Sequence, residues 1–186
     1  MDLGNARAWT RELWDKLSLE GAFVIDATVG NGYDTVYLAG KVGETGRVYG
    51  FDVQMEAIGA TRARLNEAGL LDRCRLIPDS HENVDAYVKD PVDGVMFNLG
   101  WLPKAEHAVT THAESTLKAV SKCLELLKKG GLMTVCVYPG HPEGEREKAA
   151  LLAWAGALDD SVFDARVTEY LNIAKRPPLL IAVTRR

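Results

Sequence analysis

Apolar residues along this chain recur at two different spacings. Trp9, Leu13, Trp14 and Leu17 fall at helical intervals and predict a helix over residues 6–17 with one buried face. Short apolar runs then predict strands at 22–26, 47–52, 74–78, 94–98 and 132–138. Between them, helical spacing returns at 34–41 and in a stretch with Ile58 and Leu65 that stops near Gly69, a residue suited to a helix C-terminus. A longer helix is predicted over 110–129, from Leu117, Val120, Leu124 and Leu127, ending at Gly130-Gly131, and another over 144–158. Strands alternating with helices imply an α/β fold with a parallel, doubly wound sheet. The last two predicted strands, 165–171 and 179–184, leave no room for a helix between them and must pair antiparallel.

Composition narrows the class only a little. At 186 residues, with no repeat or linker, the chain is expected to form one domain over 1–186. Hydrophobic residues at 47% and charged residues at 26% are ordinary for a globular protein. No apolar run reaches bilayer-spanning length and the N-terminus does not read as a secretory signal, so a cytoplasmic protein without a membrane partner is expected. Cys74, Cys123 and Cys136 are odd in number and lack metal-ligand spacing, so they read as reduced packing residues, with no metal expected. A net charge of −4 argues against a broad grip on nucleic acid but leaves room for a compact RNA target. Candidate basic patches are Lys128-Lys129, Arg146 with Lys148, and Lys175-Arg176 with Arg185-Arg186.

The chemistry concentrates at Asp26-Ala-Thr-Val-Gly30-Asn31-Gly32-Tyr-Asp34-Thr35, where an apolar strand meets a glycine turn and then a helix. Glycines let a ligand approach the backbone, and a helix start offers unpaired N–H donors. Asp52, twenty residues past Gly32, ends the next apolar run, where an acid can hold the two hydroxyls of a ribose. An acid at Asp26 would repel a dinucleotide pyrophosphate, and Thr35 stands where the third glycine of the dinucleotide fingerprint belongs. The pattern therefore fits S-adenosyl-L-methionine (SAM) better than NAD. Asp26, Gly30, Asn31 and Gly32 are expected around the methionine part, with Asp34 and Thr35 opening the helix beneath it. Asp52 is expected at the ribose with Gln54 beside it, and Ser80 and His81 at the adenine, although a helix-start hydrogen bond explains His81 equally well.

Five phrases together carry a resemblance: residues 26–35, Gly-Phe-Asp-Val-Gln (50–54), Asp-Ser-His-Glu-Asn (79–83), Met-Phe-Asn-Leu-Gly-Trp-Leu-Pro (96–103) and Tyr-Pro-Gly-His-Pro-Glu-Gly-Glu (138–145). With them the chain resembles a narrow bacterial family of Rossmann-like SAM-dependent methyltransferases long labelled rRNA methylases, from strand one to Arg176-Pro-Pro. That family's fold is a doubly wound seven-stranded sheet with an antiparallel C-terminal hairpin. The resemblance implies methylation of the 5-aminomethyl group of wobble uridine, giving 5-methylaminomethyl-(2-thio)uridine. It implies tRNA as partner through the anticodon loop, and admits a homodimer.

On the acceptor side, Asn98-Leu99-Gly100-Trp101 resembles the strand-four tip of amine methyltransferases, with Leu99-Gly100 replacing the usual proline pair and Trp101 standing where Tyr is expected. An Asn oxygen with a neighbouring carbonyl can accept both hydrogens of a neutral amine and aim its lone pair, while the aromatic stacks on a base. Asn98, Trp101 and His141 are the expected catalytic residues. His141 sits in a Pro- and Gly-rich loop, where it could carry a proton or hold the uracil edge. Leu99, Gly100, Tyr138 and Arg176 are expected to contact substrate. Other readings keep the fold but methylate rRNA or a small amine, or make the chain a SAM-binding module without catalysis. A short NAD oxidoreductase would need a Tyr-x-x-x-Lys pair that the sequence lacks.

Overall fold

The computed structural model describes residues 3–100 and 112–186. Helix α1 (Ala6–Trp14) starts where the Asn5 side chain accepts the Ala8 N–H, satisfying one of the unpaired donors of a helix start. The chain then alternates through β1 (Phe23–Asp26), α2 (Tyr33–Lys41), β2 (Arg47–Phe51), α3 (Met55–Glu67) and β3 (Cys74–Ile77). A single helical turn, α4 (Val84–Tyr87), precedes β4 (Val92–Asn98), α5 (Ala113–Leu126) and β5 (Leu127–Val137). Helix α6 (Pro142–Gly156), β6 (Phe163–Thr168) and β7 (Leu179–Arg185) follow.

The seven strands form one sheet in the order β3-β2-β1-β4-β5-β7-β6. Strands β1 to β5 pair in parallel, and β7 runs antiparallel between β5 and β6. The expected doubly wound sheet and antiparallel C-terminal hairpin are both present. Neighbouring strand residues point to opposite faces, and each face packs on its own helices. Ile25, Val95 and Phe97 meet Ala119 and Cys123 of α5 and Leu151 of α6 on one side. Val24, Val48 and Met96 meet Trp14, Leu38 and Leu65, from α1, α2 and α3, on the other. Continuous apolar strands are what a sheet covered on both faces requires.

The predicted elements recur with shifts of a few residues, except around α5. That helix ends at Leu126 rather than 129, and β5 begins at Leu127 rather than 132. Leu127 is fully buried and pairs with Val92, while Lys128 forms an ion pair with Asp93 at 2.9 Å. The register then shifts between Val92 and Gly94, so that Leu132 pairs with Gly94. Pairing with β4 overrides the helical spacing that would carry α5 onward.

Trp14 anchors α1 beneath the sheet. Its ring is fully buried, and its indole donates to Thr134 Oγ1 at 2.8 Å. Gly94 makes the space for it, since a Cβ there would lie 2.6 Å from the ring. Trp14→Ala is expected to lower stability by about 3–5 kcal/mol, and Gly94→Ala by about 1–3 kcal/mol through overpacking. Urea denaturation of the two variants checks both values.

Candidate active site

The parallel strands end on one edge of the sheet, and the crossovers leave β1 toward β2 on one side and reach β4 on the other. Ligands bind open α/β sheets in the crevice that this reversal creates. A cavity of about 960 Å³ lies there, walled by Gly30, Asp52, Ser80, His81, Asn98 and Tyr138 among others. Its size matches that of a cofactor-sized ligand site.

One half of the cavity is built from the loops after β1, β2 and β3. Asp52, just past β2, accepts the Gly30 N–H on Oδ2 and the Gln54 N–H on Oδ1, both at 2.9 Å. It therefore ties the glycine loop to the start of α3. Each carboxylate oxygen has two acceptor sites, so both can still take a hydroxyl from the cavity. Gly30, Asn31, Asp34 and Gln54 line the same wall.

Asp26, Gly32 and Thr35 do not line the cavity. Asp26 is buried beneath the loop, where its carboxylate accepts the Thr35 hydroxyl at 2.6 Å and the Thr28 N–H at 3.2 Å. Gly32, at φ +80, packs so closely on α3 that a Cβ would lie 2.6 Å from Thr61 Oγ1. Asp26 and Gly32, expected around the methionine part, and Thr35, expected to open the helix beneath it, all shape the loop from below. Burial, and secondarily the nearby Asp34 carboxylate, push Asp26 up to about 7 against the pull of its Thr35 and Thr28 hydrogen bonds.

Ser80 and His81 both line the cavity. The Ser80 hydroxyl caps the helical turn that follows by accepting the Glu82 N–H. His81 Nδ1 lies 3.1 Å from the Ala27 carbonyl, which can only accept, so Nδ1 carries the hydrogen. Burial pushes the His81 pKa down, leaving Nε2 as an acceptor that has no hydrogen-bond partner among the described residues. Asp79, which the sequence reading passed over, also lines this wall and takes hydrogen bonds from Tyr87 and Asn83 that hold its carboxyl below the usual range. The signal was present: Asp79 closes the β3 apolar run much as Asp52 closes that of β2.

The other half surrounds the tip of β4. The Asn98 N–H donates to Thr28 Oγ1 at 2.7 Å, and its side-chain Nδ2 donates to Asp34 Oδ2 at 3.1 Å. Asp34 Oδ1 meets Arg11 of α1 at 2.5 Å, with Arg7 further off at 3.9 Å. The Leu99 side chain is buried in the core, so only its backbone can face a ligand. Gly100 sits at φ +128 beside the Tyr138 ring, a backbone conformation that glycine tolerates and other residues resist. Tyr138 is half-buried, and burial pushes its hydroxyl up to about 12. Trp101 lies outside the described residues. His112 is exposed and lines the cavity.

His141 and Arg176 stand apart from the cavity lining. His141 Nδ1 accepts the Gly144 N–H and so caps α6. Arg176 pairs with Glu145 at 2.6 Å on the surface. In this structure the His141 side chain starts a helix and the Arg176 side chain closes an exposed ion pair.

Strand order and the cavity at the carboxyl edge define the Rossmann-like class of SAM-dependent methyltransferases. The family described as "Putative rRNA methylase" matches residues 48–184, and the chain belongs to that family. It is 33% identical over 183 residues to the "tRNA (mnm(5)s(2)U34)-methyltransferase, chloroplastic" of Arabidopsis thaliana, covering 93% of this chain and 67% of that one. A "putative rRNA-methylase" structure from Clostridium thermocellum is 41% identical with a TM-score of 0.97, each chain covered completely. A "putative methyltransferase" from Streptococcus mutans, solved in complex with SAH, is 33% identical with a TM-score of 0.91, again over both whole chains. The chain is a SAM-dependent methyltransferase.

The donor set suits that cofactor: a carboxylate with spare acceptor sites at Asp52, a glycine loop, and an unpartnered acceptor nitrogen at His81. The Asp26 environment makes its own prediction. The folded state holds this proton up to about pH 7 while the unfolded chain loses it near pH 3.8, so Asp26 costs stability increasingly as pH rises through that window. Asp26→Asn removes the cost. Its stability relative to wild type should rise by about 2 kcal/mol between pH 5 and pH 8, read from denaturation curves at the two pH values.

Proposed function

We propose that the chain methylates the amino nitrogen of 5-aminomethyl-(2-thio)uridine at the wobble position of tRNA, giving 5-methylaminomethyl-(2-thio)uridine. The observation that carries this reading is Asn98, whose amide stands at the cavity wall with its NH₂ already donated to Asp34. Its oxygen is then the group left to meet a ligand, and an oxygen that accepts an amine N–H turns the nitrogen lone pair toward the methyl donor. Methyl transfer of this kind depends on aim more than on a strong base. The name of the Arabidopsis relative supports the same substrate.

When bound, SAM supplies an electrophilic methyl group on a sulfonium. In this reading Asp52 holds the ribose hydroxyls, the Gly30-Asn31 loop faces the methionine part, and Ser80 and His81 meet the adenine. Gly100 leaves the acceptor mouth open beside Tyr138. Arg7, more than half exposed at the cavity edge, is a cation available to the RNA backbone.

Methyl transfer is expected to tRNA bearing 5-aminomethyluridine and not to the same tRNA lacking the amine. Labelled-methyl incorporation tests this, and full transfer to unmodified tRNA or to ribosomal RNA would overturn the substrate assignment. Asp52→Ala should weaken SAM binding by about 1.5–3 kcal/mol, measured by calorimetry. Asn98→Ala should lower kcat while leaving SAM affinity near wild type, because an orienting contact matters in the transition state.

A further inference from the structure

The carboxylate of Asp34 is held from both sides. On one side Arg11 of α1 approaches Oδ1 at 2.5 Å, with its guanidinium stacked 3.5 Å from the centre of the Tyr37 ring. Tyr37 in turn donates to Asp15 at 2.7 Å, and Lys41 pairs with that same Asp15 at 2.6 Å. On the other side Oδ2 receives the Asn98 amide nitrogen at 3.1 Å. Asp34 is mostly buried, its side chain 13% exposed, and it sits in the first turn of α2.

An Asn side chain has two orientations of nearly equal shape that exchange a donor for an acceptor. Only one of them serves an amine: the oxygen must face the substrate N–H. A carboxylate ion-paired with a guanidinium offers acceptors alone, so it admits only the orientation with the NH₂ toward Asp34. We infer that Asp34, braced by Arg11, is a positioning residue that fixes the Asn98 amide with its oxygen toward the methyl acceptor. The Asn98 N–H bond to Thr28 pins the backbone of the same residue. Specificity follows as well. With the oxygen outward the site accepts hydrogen bonds, which suits a neutral amine carrying N–H groups. This inference rests on the amine-methylation reading above.

Asp34→Asn keeps shape but supplies both a donor and an acceptor, so both orientations of Asn98 become available. The expected result on aminomethyl-bearing tRNA is a fall in kcat of about tenfold or more, with KM for the tRNA and SAM affinity within about twofold of wild type. In an Asn98→Ala background the same substitution should add nothing further, since a residue acting through Asn98 has nothing left to orient. A readout without RNA comes from the side-chain ¹⁵N–¹H pair of Asn98, identified by its loss in Asn98→Ala. Asp34→Asn should shift or broaden that pair in the protein alone. Arg11→Met, which leaves Asp34 in place but unbraced, should move kcat and the amide signal in the same direction by a smaller amount.

Loss of SAM affinity in Asp34→Asn as large as its loss of kcat would overturn the inference and place Asp34 with the cofactor. An unshifted Asn98 amide signal, or full additivity with Asn98→Ala, would overturn it too. If Asn98→Ala itself kept full kcat, the amine-orienting reading would fall, while a shifted amide signal would still support the Asp34 clamp.

Discussion

The position of β1 is the constraint from which the site follows. It pairs in parallel with β2 on one side and β4 on the other, so the chain must leave it in one direction and return from the opposite one. The two crossovers diverge at the carboxyl edge, and no helix can close the gap between them. Gly30, Asp52, Ser80, His81, Asn98 and Tyr138 each end a strand at that edge or follow within a few positions. Asp52 then stitches the opened loops together, since one carboxylate satisfies backbone donors from both the β1 and the β2 connections. A carboxylate receiving two backbone N–H groups is a strong, directional bridge. The glycine loop owes its shape to that bridge on one side and to the buried Asp26–Thr35 contact on the other.

Much of this was legible from local spacing. Strand, glycine turn and helix lie within ten residues of one another, and the acid closing the next strand falls at the distance the fold demands. The α5–β5 boundary was not legible, because Leu127 fits a helical stripe as well as a strand. The decision lies with Val92 and Asp93, some 35 residues earlier, which receive Leu127 and Lys128. For the same reason the Arg11–Asp34 contact could not be read: nothing in α1's apolar stripe marks which of its polar residues turns toward Asp34. The motif that holds Asp26 and Thr35 suggests a ligand site but does not say which way these two side chains point. Their side chains satisfy each other below the loop, as a buried hydroxyl and carboxyl must. At His141 and Arg176 residue type suggests chemistry, and the surroundings supply a helix cap and a surface ion pair.

The electrostatic arrangement separates the two halves of the cavity. Asp26, Asp34 and Asp52 lie within mutual influence, since both of the others raise Asp26. A cluster of this sign favours a cationic donor such as a sulfonium over an anionic cofactor. Of these three carboxylates Asp34 is the one ion-paired with arginine among the described residues, so the β4 side of the cavity is closer to neutral than the Asp52 side. On the proposed function, a neutral amine can then approach without being held as a salt.

The place of β7 has a consequence for how the protein is made. β6 is an edge strand whose sheet neighbour is β7, and β7 slots between it and β5. During synthesis β6 therefore emerges before the strand it pairs with, and β5 waits with one side open. The sheet is completed by insertion of a late segment, Leu179–Val183, that is almost entirely buried once in place. Pairing of this non-local kind is slow and leaves strand edges exposed in the meantime. The ribosome-bound chain thus passes through a stage in which five parallel strands are ready and the last apolar surface is still uncovered.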